Sequence, residues 1–86
     1  MKTILHKRFE KQYAKLRPAD KEKFKARRDI FLDNPFDPVL SNHALIGKYE
    51  GYRTISITGD LRAVYTFIDR DTVLFVAIGT HSQLYK

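Results

Sequence analysis

The sequence predicts an α+β domain in two layers, with element order β–α–α–β–β–β. Three observations lead there. Residues 7–33 repeat their apolar positions with a helical period, whereas from Gly51 onward the period becomes two. The connections between the later segments are too short for anything but antiparallel neighbours. The chain has 86 residues, of which 43% are hydrophobic and 13% aromatic. That is enough for one modest core and too little for two folds, a repeat array or a large dinucleotide-binding enzyme.

Each element has its own signal. Residues 2–5, Lys-Thr-Ile-Leu, read as a short strand. Phe9, Tyr13 and Leu16 then fall at i, i+4 and i+7, on one helical face, with Lys7, Arg8, Lys11 and Lys15 off it. Arg17-Pro18 interrupts the helix, since the residue before proline is driven out of helical geometry. Pro18 suits the first turn of a second helix, and Asp20 and Glu22 favour its positive end. Phe24 and Phe31 share a stripe along that helix, which must end near Asn34 because Pro35 follows. The two helices form an αα-hairpin from about 7 to 33. His6 reads as a cap or flank of the first helix, with no chemical role.

Residues 34–42 hold two prolines and several turn formers, and read as an ordered loop. Residues 43–48 read as a short extended piece. A three-stranded antiparallel meander follows. Ile55 and Ile57 alternate with Thr54 and Ser56, and Thr58-Gly59-Asp60 is a turn. The middle strand, 61–68, carries apolar residues toward both faces, and 73–78 is almost wholly apolar. The tail from Gly79 is polar with two apolar anchors. The first strand is expected to join an edge of the meander, giving an antiparallel sheet covered on one face by the helical hairpin. Residues 1–86 read as a single domain.

Charge narrows the partners. The chain carries 16 Lys+Arg against 10 Asp+Glu, a net +6. Residues 1–31 hold eleven basic and four acidic residues, and the remainder five and six. The excess lies on the helical third, which favours anionic partners such as nucleic acid, an acidic protein segment or a membrane surface. It is also compatible with a merely solvated face. Cysteine is absent, which excludes disulfides, thiolate zinc sites and Cys nucleophiles and fits a reducing cytoplasm. The N-terminal apolar run is too short for a signal peptide, and no stretch is long enough to span a membrane. The three histidines, at 6, 43 and 81, lack metal-ligand spacing, and the isolated glycines do not form a phosphate-cradling loop.

Several segments together resemble one family. They are Phe9-Glu-Lys-Gln-Tyr-Ala-Lys-Leu16, Asn42-His-Ala-Leu45, Gly51-Tyr-Arg53, Gly59-Asp-Leu-Arg-Ala-Val-Tyr65 and Gly79-Thr-His-Ser-Gln-Leu-Tyr85. In this order, over essentially the whole chain, they resemble the RelE/ParE superfamily of type II toxins, in particular its RelE/StbE and YafQ-like branch. The resemblance implies a cytoplasmic, ribosome-dependent endoribonuclease that cuts mRNA in the ribosomal A site and inhibits translation. In such enzymes the ribose 2′-OH attacks its own 3′-phosphate. That reaction needs a base, an acid and positive charge at the phosphate, while cofactor and metal are not obligatory. The partners implied are the ribosome, mRNA and a cognate antitoxin with an acidic, partly disordered segment. The free toxin is expected to be a monomer and the antitoxin-bound form a hetero-oligomer.

Residue by residue, His81 matches the C-terminal histidine of the pattern and is the first candidate for general acid or base. Imidazole suits either role because its ordinary pKa is near 6.5. His43 matches a second functional histidine, and otherwise reads as a turn residue. Asp60 matches a functional acid, and is equally at home in a tight turn through local hydrogen bonds. Tyr85 matches an aromatic that stacks on RNA, or else pins the tail to the sheet. The chain departs from the pattern at three places. Ser56 stands where the pattern has a histidine, Leu61 where it has a tryptophan, and Ala77 where it has an arginine. Arg53 and Arg62, with Lys48 behind them, are the candidates to replace that arginine at the phosphate. A ParE-like gyrase inhibitor, which needs no catalytic histidine, and a degenerate toxin that binds only ribosome or antitoxin are the rival readings.

Overall fold

A computed structural model describes residues 1–85. The chain runs β1 (Lys2–Leu5), α1 (Lys7–Ala14), α2 (Pro18–Asp33), β2 (His43–Ala44), β3 (Arg53–Ser56), β4 (Leu61–Asp69), β5 (Thr72–Thr80) and α3 (His81–Leu84). Two short 3-10 turns, Pro38–Leu40 and Gly47–Tyr49, lie between α2 and β3. The five strands form one sheet in the order β1-β5-β4-β3-β2. The α+β class, the helical hairpin and the meander stand as expected. No helix is long and apolar enough to cross a membrane among the described residues.

The helices form where the periodicity places them. His6 caps α1, its Nδ1 accepting from the Arg8 N–H at 3.0 Å. Pro18 opens α2, and Arg17 holds extended geometry before it. Phe9, Phe24 and Phe31 point from the hairpin onto Ile55, Ala63, Tyr65, Val73 and Phe75 of the sheet. Phe75 sits at the hub, 5.6–5.8 Å in ring spacing from Phe9, Phe24, Phe31 and Tyr65. Tilted and edge-on ring pairs of this kind contribute about 0.5–1.5 kcal/mol each beyond the burial of their area.

Four features differ from the sequence reading. The sheet is mixed, because β1 lies parallel to β5. Short turns dictate antiparallel pairing only for consecutive strands, and most of the chain separates these two. The 43–48 segment is extended only at His43–Ala44 and then tightens into a turn. Strand β5 contains a bulge: Tyr65 pairs with Phe75 and Val64 with Ala77, leaving Val76 as the extra residue. Phe75 and Ile78 therefore both face the helices, while Ala77 turns to the opposite face. Finally, the tail folds as α3. Thr80 accepts from the Gln83 N–H while the Gln83 side chain accepts from the Thr80 N–H, a reciprocal capping box.

Helix α1 also closes a sheet edge. Beyond Phe75 strand β5 has no β1 beside it, and Gln12 Oε1 accepts the Ile78 N–H at 2.9 Å. The helix thus lies alongside the edge and brings its basic residues to the border of the sheet's uncovered face. That face holds a smaller apolar cluster of Tyr49, Val64, Ala77 and Leu84.

Candidate functional site

The uncovered face of the sheet carries an open cleft of about 370 Å³, lined by His43, Leu45, Ile46, Thr54, Arg62, His81 and Tyr85. Four separate stretches of sequence meet there. Strand alternation delivers Thr54 and Arg62 to this face, whereas Ile55 and Ala63 turn to the helices. Thr54 is nearly inaccessible and its hydroxyl donates to the Ala63 carbonyl at 3.2 Å, so it forms an inert floor.

His81 and Tyr85 reach the cleft through α3. The capping box fixes the start of the helix, and Leu84, fully buried, fixes its rotation. The two rings then lie one turn apart, 4.7 Å between centroids. Gly79 permits the tight approach of α3 to the strand. A Cβ there would meet Gln83 Oε1 at 3.0 Å and so disturb the cap. Tyr85 in turn stands edge-on to the buried Tyr49, 5.9 Å away.

His43 sits on the short edge strand β2, exposed to solvent. Its Nδ1 lies 3.0 Å from the Ser41 carbonyl oxygen. A carbonyl can only accept, so Nδ1 carries the proton and donates. Ser41 adopts a left-handed conformation, φ 47°, which presents that carbonyl. In the neutral ring Nε2 is then the atom with a free lone pair.

Arg62 lies beside two of the positions that depart from the family pattern, Ser56 and Ala77. Ser56 pairs directly across from it on β3, and Arg62 Nη1 donates to Ser56 Oγ at 2.6 Å and to the Thr58 carbonyl at 3.3 Å. The residue that stands in place of a histidine therefore holds the arginine. Arg62 pairs with Gly79 and Val64 with Ala77, which makes Ala77 and Arg62 diagonal neighbours on one face. Such neighbours are separated by roughly 7–8 Å. Arg62 therefore lies one strand over from Ala77, and among the described residues its Nε and Nη2 have no protein partner.

Three other candidates lie elsewhere. Arg53 does not enter the cleft. It occupies the same alternation class as Ile55 and turns to the helix side, where its Nε donates to Asn42 Oδ1 at 2.8 Å and its guanidinium covers the Phe36 ring. Asn42 Nδ2 donates onward to Tyr65 Oη at 2.6 Å and to the Pro35 carbonyl at 2.7 Å. Arg53 thus ties the 34–42 loop to the sheet. Burial raises the pKa of Tyr65 above its ordinary value, with the Asn42 hydrogen bond and Arg53 opposing that rise. Asp60 also lies outside the cleft, exposed in the β3–β4 turn, where the Thr58 hydroxyl organises the backbone by accepting from the Asp60 and Leu61 N–H groups. Lys48 lines a neighbouring cavity on the same face. The third departure, Leu61, is core on the helix side.

Two features were missed in the sequence. The Thr80-His-Ser-Gln83 stretch spells a capping box and was readable as a helix start. The role of Ser56 as the hydroxyl that holds Arg62 had no local signal, because it depends on strand register. Among the described residues no three His, Cys, Asp or Glu come together as metal ligands.

The whole chain, residues 1–86, matches the family model described as bacterial toxin of type II toxin-antitoxin system, YafQ. A curated YafQ homologue of Haemophilus influenzae is 35% identical over 52 residues. That match takes in 57% of this chain and 51% of the relative, about half its length. Among solved structures, YafQ from Escherichia coli strain BL21(DE3) superposes with a TM-score of 0.83 at 22% identity, covering 98% of this chain and 97% of that one. The toxin in the E. coli DinJ-YafQ toxin-antitoxin complex gives 0.80 at 22% identity, covering 98% and 96%.

Proposed function

The chain belongs to the YafQ family of bacterial toxins of type II toxin-antitoxin systems, and from that premise we propose that it is an endoribonuclease cutting mRNA in the ribosomal A site. The observation that carries this reading is the convergence of His43, Arg62 and His81 on one cleft of the uncovered sheet face, with Tyr85 beside them. Residues 1–86 act as one toxin domain in the cytoplasm. The partner that restrains it is an antitoxin with an acidic segment, in keeping with the DinJ-bound form of the E. coli relative.

The chemistry follows from the side chains. The ribose 2′-OH attacks the adjacent phosphorus, the bond to the 5′-oxygen breaks, and a 2′,3′-cyclic phosphate and a 5′-hydroxyl result. The RNA supplies its own nucleophile, so the scheme calls on no metal. His43 takes the 2′-OH proton at Nε2, the nitrogen left unprotonated by the Ser41 contact. His81, as the imidazolium, gives a proton to the departing 5′-oxygen. Arg62 places its free Nε–H and Nη2–H groups against the non-bridging phosphate oxygens, where negative charge grows. Tyr85 stacks on a base. The cleft is open and shallow, and the ribosome presents the scissile bond to it.

The experiment is a ribosome-programmed mRNA cleavage assay with the parent protein and His81→Ala. Cuts that disappear in the variant, with translation restored, are the expected result. Translation blocked without cuts, or failure of DNA supercoiling in place of translation, would falsify the nuclease reading.

A further inference from the structure

Beside the cleft on the same face lies a second cavity of about 260 Å³, lined by His6, Arg8, Lys48, Tyr49, Tyr52 and the flank of β5. We propose that this cavity is a second single-stranded RNA subsite, continuing the strand away from the His43–Arg62–His81 cleft. The proposal rests on the nuclease reading of that cleft and adds where the neighbouring nucleotides run.

Three observations carry it. First, the two cavities are continuous through aromatic rings. Tyr49 is buried between Tyr52 and Tyr85 and stands edge-on to both, at 6.3 and 5.9 Å. The two flanking rings remain half exposed and lie within two ring-to-ring steps of each other. Second, cations border the rings. Arg8 Nη2 donates to Tyr49 Oη at 3.2 Å, and Lys48 Nζ lies 5.3 Å from the Tyr49 ring centre. Third, these cations have no acidic partner among the described residues. The ion pairs among the described residues join Arg17 to Asp20, Lys25 to Glu22 and Arg28 to Asp29, all on or at the start of α2. Two half-exposed rings, Tyr52 and Tyr85, joined through the buried Tyr49 and bordered by cations outside any ion pair among the described residues, make an arrangement that holds single strands without reading sequence. Bases stack on the rings and phosphates meet the cations. An acidic protein segment would use the cations but has no need of the ring row that links them to the cleft.

The test measures binding of a fluorescent RNA trinucleotide and octanucleotide to the intact protein at low salt, by anisotropy. The variants are Lys48→Ala and the Arg8→Ala/Lys48→Ala pair. For the parent protein the longer strand binds more tightly. In the double variant the ratio of the two affinities falls about tenfold, and the salt slope for the octanucleotide drops by about 0.7 for each cation removed. An unchanged ratio, or no length preference in the parent, overturns the subsite. So does a double variant that loses affinity for an acidic antitoxin peptide while retaining that for RNA. Unchanged thermal unfolding of the variants shows that the loss is local. The cleavage assay is scored separately. If the parent protein makes no cuts, the nuclease reading fails whatever the length dependence. If it cuts and the length ratio is unmoved by the variants, the subsite alone fails.

Discussion

The two faces of one sheet are built to opposite specifications. The helix-covered face is closed: Phe9, Phe31, Tyr65 and Phe75 are wholly inaccessible, and Phe24 nearly so. The uncovered face has a small apolar patch under Leu84, ringed by half-exposed Leu45, Tyr52, Val76 and Tyr85 and by cations that, among the described residues, have no acidic partner. Successive residues of the same strands serve both. Ile55 and Ala63 hold the core, while Thr54 and Arg62 build the cleft. One sheet carries both the core and the cleft, and strand parity separates them. The bulge at Val76 preserves the arrangement, letting Ile78 join the core while Gly79 and α3 turn toward the cleft.

Substitutions on the two faces should therefore have non-overlapping effects. The largest is His81→Ala, expected to lower ribosome-dependent cleavage by about 10²–10⁴-fold, the usual weight of a general acid or base. His81 is exposed, so thermal unfolding should not move. Next comes Phe75→Ala on the covered face, expected to cost about 3–5 kcal/mol of stability in urea titration, because it empties the hub of the aromatic core. Loss of cleavage from a stably folded Phe75→Ala protein would blur the division.

The two arginines give the sharpest contrast, since they lie on nearby strands and face opposite ways. Arg62→Ala should reduce cleavage about 10²–10³-fold, the scale of removing one stabilising donor from a developing anion. Arg53→Ala should leave the cleavage rate of the folded protein alone and destabilise it by about 1–3 kcal/mol, the cost of a lost charged hydrogen bond to Asn42. Reversed outcomes would mean that the phosphate sits on the helix side of β3.

Much of this was legible in the sequence, for local reasons. Helical and two-residue periods were strong enough to place α1, α2 and the meander, and the resemblance named His43, His81, Asp60 and Tyr85, with Arg53 and Arg62 offered alike in place of the missing arginine. What was missed depends on distant pairing. Arg53 and Arg62 look equivalent as isolated arginines, and only strand parity divides them. Asp60 satisfied a family position, yet its turn is organised by Thr58 and leaves the carboxylate outside the cleft. The parallel course of β1 and the extra residue at Val76 follow from how β5 meets two neighbours at once, which no short window contains.

The smallest effect tests whether the covered face is as closed as its packing implies. Tyr65 Oη accepts from Asn42 within that face, and burial holds its pKa above the ordinary value near 10. The unfolded chain then loses the Tyr65 proton at lower pH than the folded one does. Above about pH 10 the folded state binds more protons than the unfolded state, so this residue's contribution to stability declines as pH rises toward the folded pKa. Below that window it is fully present. Tyr65→Phe removes both the hydrogen bond and the titration. At neutral pH it should cost about 1 kcal/mol, the net value of one such bond, and the gap between parent and variant should narrow as pH climbs past 10 in paired urea titrations. A gap that stays constant through that range would mean that water reaches the Tyr65 hydroxyl in the folded protein, and that the division between a dry and a wet face is less complete than the packing shows.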